Sequence, residues 1–162
     1  MSLLVSDERK VFSLDFWSEP QEEVLVDTGA DTLALPDVTV GDLPAGARVV
    51  RAVALFKWRM TENDNAAINS LDGATVAGVS QVIQVRSDAP GTWRDAINFV
   101  DDQFSLAATT RESGDAIIGS LDIAVEVTAN DTYNFRWLLS LANEDSLMFN
   151  DVQVGLRVYY TT

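Results

Sequence analysis

The chain has 162 residues, and 47% of them are hydrophobic, which is enough for one compact domain spanning residues 1–162. It contains no cysteine and no histidine, and this excludes disulfides, thiol nucleophiles, Ser/His/Asp triads and most transition-metal sites. Its 25 acidic and 11 basic residues give a formal charge of −14, which repels phosphate backbones and anionic lipids. We therefore expect no cofactor, no nucleic-acid partner and no membrane partner.

The acidic loops leave one kind of metal site open, because Ca²⁺ and Mg²⁺ need only oxygen ligands. The segment Glu62-Asn63-Asp64-Asn65 lacks the glycine and the closing glutamate of an EF-hand loop. We therefore predict no metal-binding residues, and whether an acidic loop holds Ca²⁺ stays open.

The N-terminal segment shows neither a membrane anchor nor a leader. No apolar run in the chain approaches the roughly 20 residues of a membrane-spanning helix, and Met1–Lys10 becomes charged too early for a signal peptide. We expect a soluble, unprocessed protein in which residues 1–20 form either an N-terminal arm or an edge strand.

Alternating apolar and polar side chains predict strands throughout the first third of the chain. Pro20 ends the first strand, a turn at Thr28–Asp31 separates the next two, and Pro36 marks the third as an edge piece. Residues 41–47, with two glycines and a proline, form a loop. The strands predicted here are 11–17, 23–27 and 32–40.

Arg48–Met60 gives the longest strand signal. A strand that is apolar on both faces lies in the middle of a sheet, or its outer face meets another subunit. The first face holds Val50, Ala52, Ala54, Phe56, Trp58 and Met60, and the second holds Arg51, Lys57 and Arg59 together with Val49, Val53 and Leu55.

The middle of the chain is less regular. Residues 61–73 read as a polar surface loop with one helical turn at 66–70, and 75–86 as a strand followed by a turn at 87–92. Trp93–Leu106 fits either a helical stripe or two short strands, and strands are preferred because the neighbouring segments are β. A polar loop is predicted at 109–115, before a short apolar stretch at 116–118.

Leu121–Leu141 is the clearest β-hairpin pattern, with alternation up to Val127 that resumes at Tyr133. After a turn at 142–146, Leu147–Tyr160 supplies a closing strand, and Gly155 within it indicates a bulge or a close backbone approach. About eight to ten strands, with turn signals roughly every 8–12 residues, predict an all-β, antiparallel two-sheet β-sandwich that is jelly-roll-like.

One short motif carries chemistry. Val24-Leu25-Val26-Asp27-Thr28-Gly29-Ala30-Asp31-Thr32 resembles the active-site signature of retroviral-type aspartic proteases, and Ile117-Ile118-Gly119 is similar to their supporting element. The resemblance implies a dimer in which two Asp27 carboxylates share a proton and activate water. The alternative is an ordinary turn at Asp27-Thr28-Gly29, and the strand 48–60 stands where that family has a glycine-rich flap. We expect no enzymatic activity and keep the protease as an alternative.

Four segments carry a second resemblance: Trp93–Phe99, Thr110–Asp115, Tyr133–Trp137 and Asn150–Tyr160. Through them, residues 48–160 resemble uncharacterised virion proteins of tailed bacteriophages. The resemblance implies a non-enzymatic capsid decoration or other virion accessory protein, made in the host cytoplasm, located in the virion and bound to a major capsid or other virion protein.

Such a protein acts by burying surface. Jelly rolls assemble as closed oligomers, with a trimer favoured, and the candidate interface residues are Arg51, Lys57, Arg59 and Tyr159. The four tryptophans (Trp17, Trp58, Trp93 and Trp137) are more typical of a core or a subunit contact. A tryptophan exposed in a groove beside carboxylates and amides would instead indicate a carbohydrate-binding module.

Overall fold

A computed structural model describes residues 10–21, 24–26, 29–62, 82–88, 91–98, 113–141 and 147–162. Every secondary-structure element in these described residues is a β-strand, and there are nine strands. In chain order they are β1 (Phe12–Trp17), β2 (Val24–Val26), β3 (Gly29–Val40), β4 (Arg48–Glu62), β5 (Val82–Ser87), β6 (Arg94–Asn98), β7 (Ser113–Ile118), β8 (Asp131–Leu141) and β9 (Leu147–Thr161).

The strands form two antiparallel sheets. The first sheet has the order β1-β9-β4-β7, with β2 also paired to β9, and the second has the order β3-β8-β5-β6. From β2 onwards the chain changes sheet at every connection except the one between β5 and β6, which gives a jelly-roll topology. The predicted two-sheet β-sandwich is confirmed.

β1 and β2 lie along β9 as one interrupted edge strand. Phe12 pairs with Tyr160 and Trp17 with Gly155, and after a bridge from Gln21 to Val152 the pairing resumes in β2. Pro20 stands in the interruption, as predicted, because it has no N–H to donate to the ladder. Among the described strands, β1 lies at the edge of the first sheet.

The core lies between the sheets. From Val152 to Tyr160, every second side chain of β9 points into it, in agreement with the predicted period of two. Trp137 of β8 packs edge-on against Phe56 of β4, with their ring centroids 5.3 Å apart. The β9 side chains in the core are Val152, Val154, Leu156, Val158 and Tyr160.

The prediction of which β4 side chains share one face is wrong at the start of the strand. The register against β9 shifts between Val49 and Arg51, so Val50 is the extra residue of a bulge. Val50 is therefore exposed, whereas Val49 packs against the core. From Ala52 to Phe56 the predicted face does point into the core.

The predicted hairpin at Leu121–Leu141 is wrong in its first half. β8 pairs with β3 and β5, and residues 119–130 contain no strand. The amide of Val127 donates to the carbonyl of Ile123 at 2.9 Å, a tight turn that places these two side chains, four positions apart, in the core. An irregular segment that connects the two sheets can therefore show the same alternation of apolar residues as a strand.

Some strands also begin at residues other than those predicted. β3 begins at Gly29 where a turn was predicted over Thr28–Asp31, and β7 begins at Ser113 inside the predicted loop 109–115, since both segments gain partners across a sheet. The strand reading of the ambiguous segment is confirmed for Arg94–Asn98. The predictions for 63–81, 99–112 and 142–146 lie outside the described residues.

Candidate binding surfaces

The outward face of the first sheet holds three of the predicted interface residues, Arg51, Lys57 and Tyr159. The guanidinium of Arg51 lies 5.7 Å from the ring centroid of Tyr159, and Arg51 and Tyr159 pair across β4 and β9. Lys57 is exposed and pairs with Gln153. Arg59 belongs to β4, but its side chain lies outside the described residues. The structure thus brings Arg51 and Tyr159 together and places Lys57 further along the same strand.

An apolar row crosses this outward face, and we call it the Trp17 row. It consists of Trp17, Gly155, Leu55 and Ile118, which are paired in turn across β1, β9, β4 and β7. Leu55 is fully buried although it alternates with core residues and therefore points away from the core. Trp17 is 39% exposed and Ile118 is 54% exposed, so the row ends in exposed apolar side chains at both edges of the sheet.

Gly155 allows the Trp17 indole to lie close to the sheet. A Cβ at this position would come within 2.9 Å of the Trp17 ring and 2.8 Å of the Phe16 carbonyl oxygen. The sequence-based expectation of a close backbone approach at Gly155 is therefore confirmed.

An ion pair lies beside the Trp17 row. Arg157 donates from Nε and Nη2 to the two carboxylate oxygens of Asp15, both at 2.7 Å. These hydrogen bonds hold the pKa of Asp15 below its usual value against the opposing effect of burial. The outward face thus combines apolar, aromatic and charged groups.

A separate cavity of about 520 Å³ lies on the outward face of the second sheet, and we call it the Trp93 pocket. Arg86 of β5 pairs with Asn134 of β8, and Arg136 of β8 pairs with Ala34 of β3. The adjacent side chains Val85 and Phe135 are buried in the core. Because side chains alternate along a strand, Arg86, Asn134 and Arg136 therefore point outward. The polar and aromatic lining is Thr32, Asp37, Arg86, Asp88, Trp93, Asn134 and Arg136.

Two arginines lie over the same indole. The Cζ atoms of Arg86 and Arg136 are 4.5 Å and 4.3 Å from the ring centroid of Trp93. Both distances are within the range of a cation–π interaction. Arg136 Nε also donates to Gln84 Oε1 at 2.8 Å, whereas Arg86 Nε is buried and has no hydrogen-bond partner.

The carboxylates nearby are bonded to other groups. Asp37 Oδ1 accepts a hydrogen bond from Asn134 Nδ2 at 2.9 Å, and Asp95 Oδ1 accepts one from Gln84 Nε2 at 2.7 Å. Within the described part of the chain, ion pairs are formed by Arg94 with Glu126 and by Arg157 with Asp15, and none by Arg86 or Arg136.

Sequence analysis did not predict the two arginines of this site. They are 50 positions apart, and only the pairing of β5 with β8 brings them together. The available signal was the polar side of β8, where Asn134 and Arg136 alternate with buried aromatic residues.

The tryptophans divide among three environments. Trp137 is in the core, Trp17 lies on the outward face of the first sheet, and Trp93 lines a pocket. The side chain of Trp58 lies outside the described residues. Trp93 meets part of the condition set for a carbohydrate-binding module: it lines a concave site beside the carboxylate of Asp37 and the amide of Asn134, but its side chain is half-buried instead of exposed.

The described residues include only part of the protease-like motif. Asp27 lies outside the described residues, and Gly29–Thr32 of the protease-like motif belongs to β3 and pairs with β8. No group of three or more acidic residues able to hold a metal ion occurs among the described residues. Nor does that part of the chain contain a helix long and apolar enough to cross a membrane.

No known protein family matches the chain, and no curated protein matches it either. Among solved structures, it is similar to a chain in the structure of the infectious bursal disease virus Gx strain, at 12% identity and a TM-score of 0.46, over 96% of this chain and 33% of the other. It is also similar to the crystal structure of FLHE, at 12% identity and a TM-score of 0.35, over 93% and 98%. The chain spans about a third of the length of the viral chain, and at these scores neither likeness assigns it a role.

Proposed function

We propose that the chain is a non-enzymatic viral structural protein that acts by docking to copies of itself and to a larger shell. The observation that supports this most is that the Trp17 row ends in exposed apolar side chains at both edges of the first sheet, Trp17 at 39% and Ile118 at 54%, while Leu55 between them is already buried. In an antiparallel sandwich, the outward face ordinarily carries polar side chains. The jelly-roll topology is also one that viral capsid domains use.

The composition of this face fits a protein interface. Aromatic residues and arginine are enriched where proteins meet, and Arg157, Tyr159 and Arg51 lie on the same face, to one side of the apolar row. Lys57, and Arg59 by its place in β4, belong to the same proposed surface. The finer proposal, from the sequence resemblance, is a tailed-bacteriophage capsid decoration protein that is trimeric, made in the host cytoplasm and bound in the virion to a major capsid or other virion protein.

The test is native mass spectrometry of the wild-type chain and two matched variants. Ile118→Asp places a charge at the exposed end of the row, and Val125→Asp places the same charge at another exposed apolar residue, which lies in a turn outside the first sheet. We expect an oligomer for the wild type and Val125→Asp, and a monomer for Ile118→Asp with an unchanged melting temperature. A wild-type chain that stays monomeric at all concentrations and binds no virion shell contradicts the proposal.

The absence of catalysis is part of the proposal and has its own test. Peptide hydrolysis at acidic pH that is abolished by Asp27→Asn would replace the structural role by the aspartic protease alternative. We expect no hydrolysis by either protein.

Carbohydrate binding is a second candidate function, favoured by the position of Trp93. Its indole lines a cavity together with Asp37 and Asn134, the kinds of group that bind sugar hydroxyls. Glycan-array binding by the wild type that is lost in Trp93→Ala supports this function, and the absence of binding to any glycan excludes it.

A further inference from the structure

We propose that the Trp93 pocket selects a saccharide unit that carries a carboxylate, such as a uronate. This inference rests on the second candidate function and names the ligand class for it. It starts from the juxtaposition of Arg86 and Arg136 over one indole in a chain that has only 11 basic residues.

The first step is the hydrogen-bonding capacity of the two arginines. A guanidinium that lies over an aromatic ring keeps its N–H donors in its own plane, where they match the two oxygens of a carboxylate. Neither arginine forms an ion pair with a carboxylate of the described residues, and Arg86 Nε is buried without an acceptor. Since an unsatisfied buried donor is costly, an acceptor from a ligand is favoured here.

The second step concerns the rest of the ligand. Asp37, Asp88 and Asn134 also line the cavity, and they offer acceptors and a donor for hydroxyl groups. A single carboxylate is attracted by the two arginines, whereas a polyanion such as an acidic peptide is opposed by these two aspartates and by the net charge of −14. One charge and several hydroxyls on one ring is the composition of an acidic sugar.

The third step is size. A cavity of about 520 Å³ falls within the range of roughly 300–1,000 Å³ that is typical of small-ligand sites. The cavity therefore accommodates a single sugar ring rather than an extended protein surface.

The experiment is a calorimetric titration with methyl glucuronide and methyl glucoside, which differ only by the carboxylate in place of a hydroxymethyl group. We expect the glucuronide to bind about tenfold more tightly, as a charge-assisted hydrogen bond implies. Arg86→Gln and Arg136→Gln should abolish this preference. Arg48→Gln, which removes an exposed arginine of β4, should leave it unchanged.

The outcomes separate the two levels of the proposal. Equal binding of both glycosides contradicts the carboxylate preference and keeps carbohydrate binding. No binding of either one contradicts both. Binding of a triglutamate peptide at the same site, more tightly than the glucuronide, overturns the saccharide assignment, and circular dichroism of each variant excludes loss of folding as the cause.

Discussion

At the scale of single residues, Gly119 has almost no free space around its Cα. A Cβ there would lie 2.5 Å from the Ala96 carbonyl oxygen and 3.2 Å from that of Ala54. Backbone atoms of two strands cannot move as easily as the end of a side chain. We predict that Gly119→Ala lowers the free energy of unfolding by about 1–3 kcal/mol, measured by urea denaturation.

Gly41→Ala is the matched control for this change, because a Cβ at Gly41 would have no heavy atom within 4 Å. We expect its unfolding midpoint to stay close to that of the wild type. Equal midpoints for Gly119→Ala and Gly41→Ala would show that the packing at Gly119 is looser than described.

Tyr133 is a buried residue whose hydroxyl donates to the carbonyl of Ala129 at 2.8 Å. Burial raises the pKa of Tyr133 above 10, and the negative charge of Asp131 adds to this, whereas the hydrogen bond that the Ala129 amide donates to the hydroxyl oxygen opposes it. The folded state therefore favours the neutral phenol, and this stabilisation is complete below pH 10 and is lost as the pH rises through the pKa of the folded state.

We predict that Tyr133→Phe costs about 1 kcal/mol at pH 7, the usual contribution of one hydrogen bond. Above pH 10 the difference in unfolding free energy between the wild type and Tyr133→Phe should shrink, since phenylalanine does not titrate. Parallel stability curves from pH 7 to pH 11 would contradict the buried phenol.

At the scale of elements, residues 119–127 act as a substitute for a strand. β7 pairs with β4 only from Leu55 to Arg59. Beyond β7, the amide of Gly119 donates to the carbonyl of Ala54, and the amide of Ile123 donates to the carbonyl of Ala52. Asp122 completes this edge, because its Oδ1 accepts from the amides of Ala52 at 3.1 Å and Ala124 at 3.0 Å.

We predict that Asp122→Ala destabilises the protein by about 1–3 kcal/mol, because the amide of Ala52 loses its acceptor. Asp122→Asn keeps an acceptor oxygen at the same place and should recover most of the loss in thermal denaturation. If the two variants have the same melting temperature, the hydrogen bond from the Ala52 amide to Asp122 contributes little to stability.

The strands show what local patterns predict and what they miss. β4 and β9 were predicted within two residues of their bounds, because long alternation follows directly from burial of one face. The bulge at Val50 and the turn at Ile123–Val127 were missed, since both depend on hydrogen bonds to distant strands. Of the candidate surfaces, Arg51 and Tyr159 followed from alternation, whereas the Trp93 pocket needs the order of β3, β8 and β5.

At the scale of the whole molecule, the ion pair of Asp15 and Arg157 joins the N-terminal strand to the C-terminal strand. The lowered pKa of Asp15 means that its contribution is present above pH 3.8 and is lost as the pH falls through the pKa of the folded state. Because the Asp15 side chain is 36% exposed, solvent screens the pair.

We predict that Asp15→Asn lowers the free energy of unfolding by less than about 1 kcal/mol at pH 7 and low salt. The difference from the wild type should shrink as the pH falls below 3.8, vanish below the pKa of Asp15 in the folded state, and also vanish in about 1 M salt. A difference that persists under both conditions would indicate a packing role for Asp15 instead of an electrostatic one.

The pairing of β1 with β9 also has a topological consequence. Phe12 lies on Tyr160 with ring centroids 5.7 Å apart, so the first and last strands finish side by side at one corner of the sandwich. Joining Lys10 to Thr162 through a short peptide and reopening the chain at the exposed Gly41-Asp42 cuts none of the described strands. We expect such a circularly permuted chain to fold into the same sandwich.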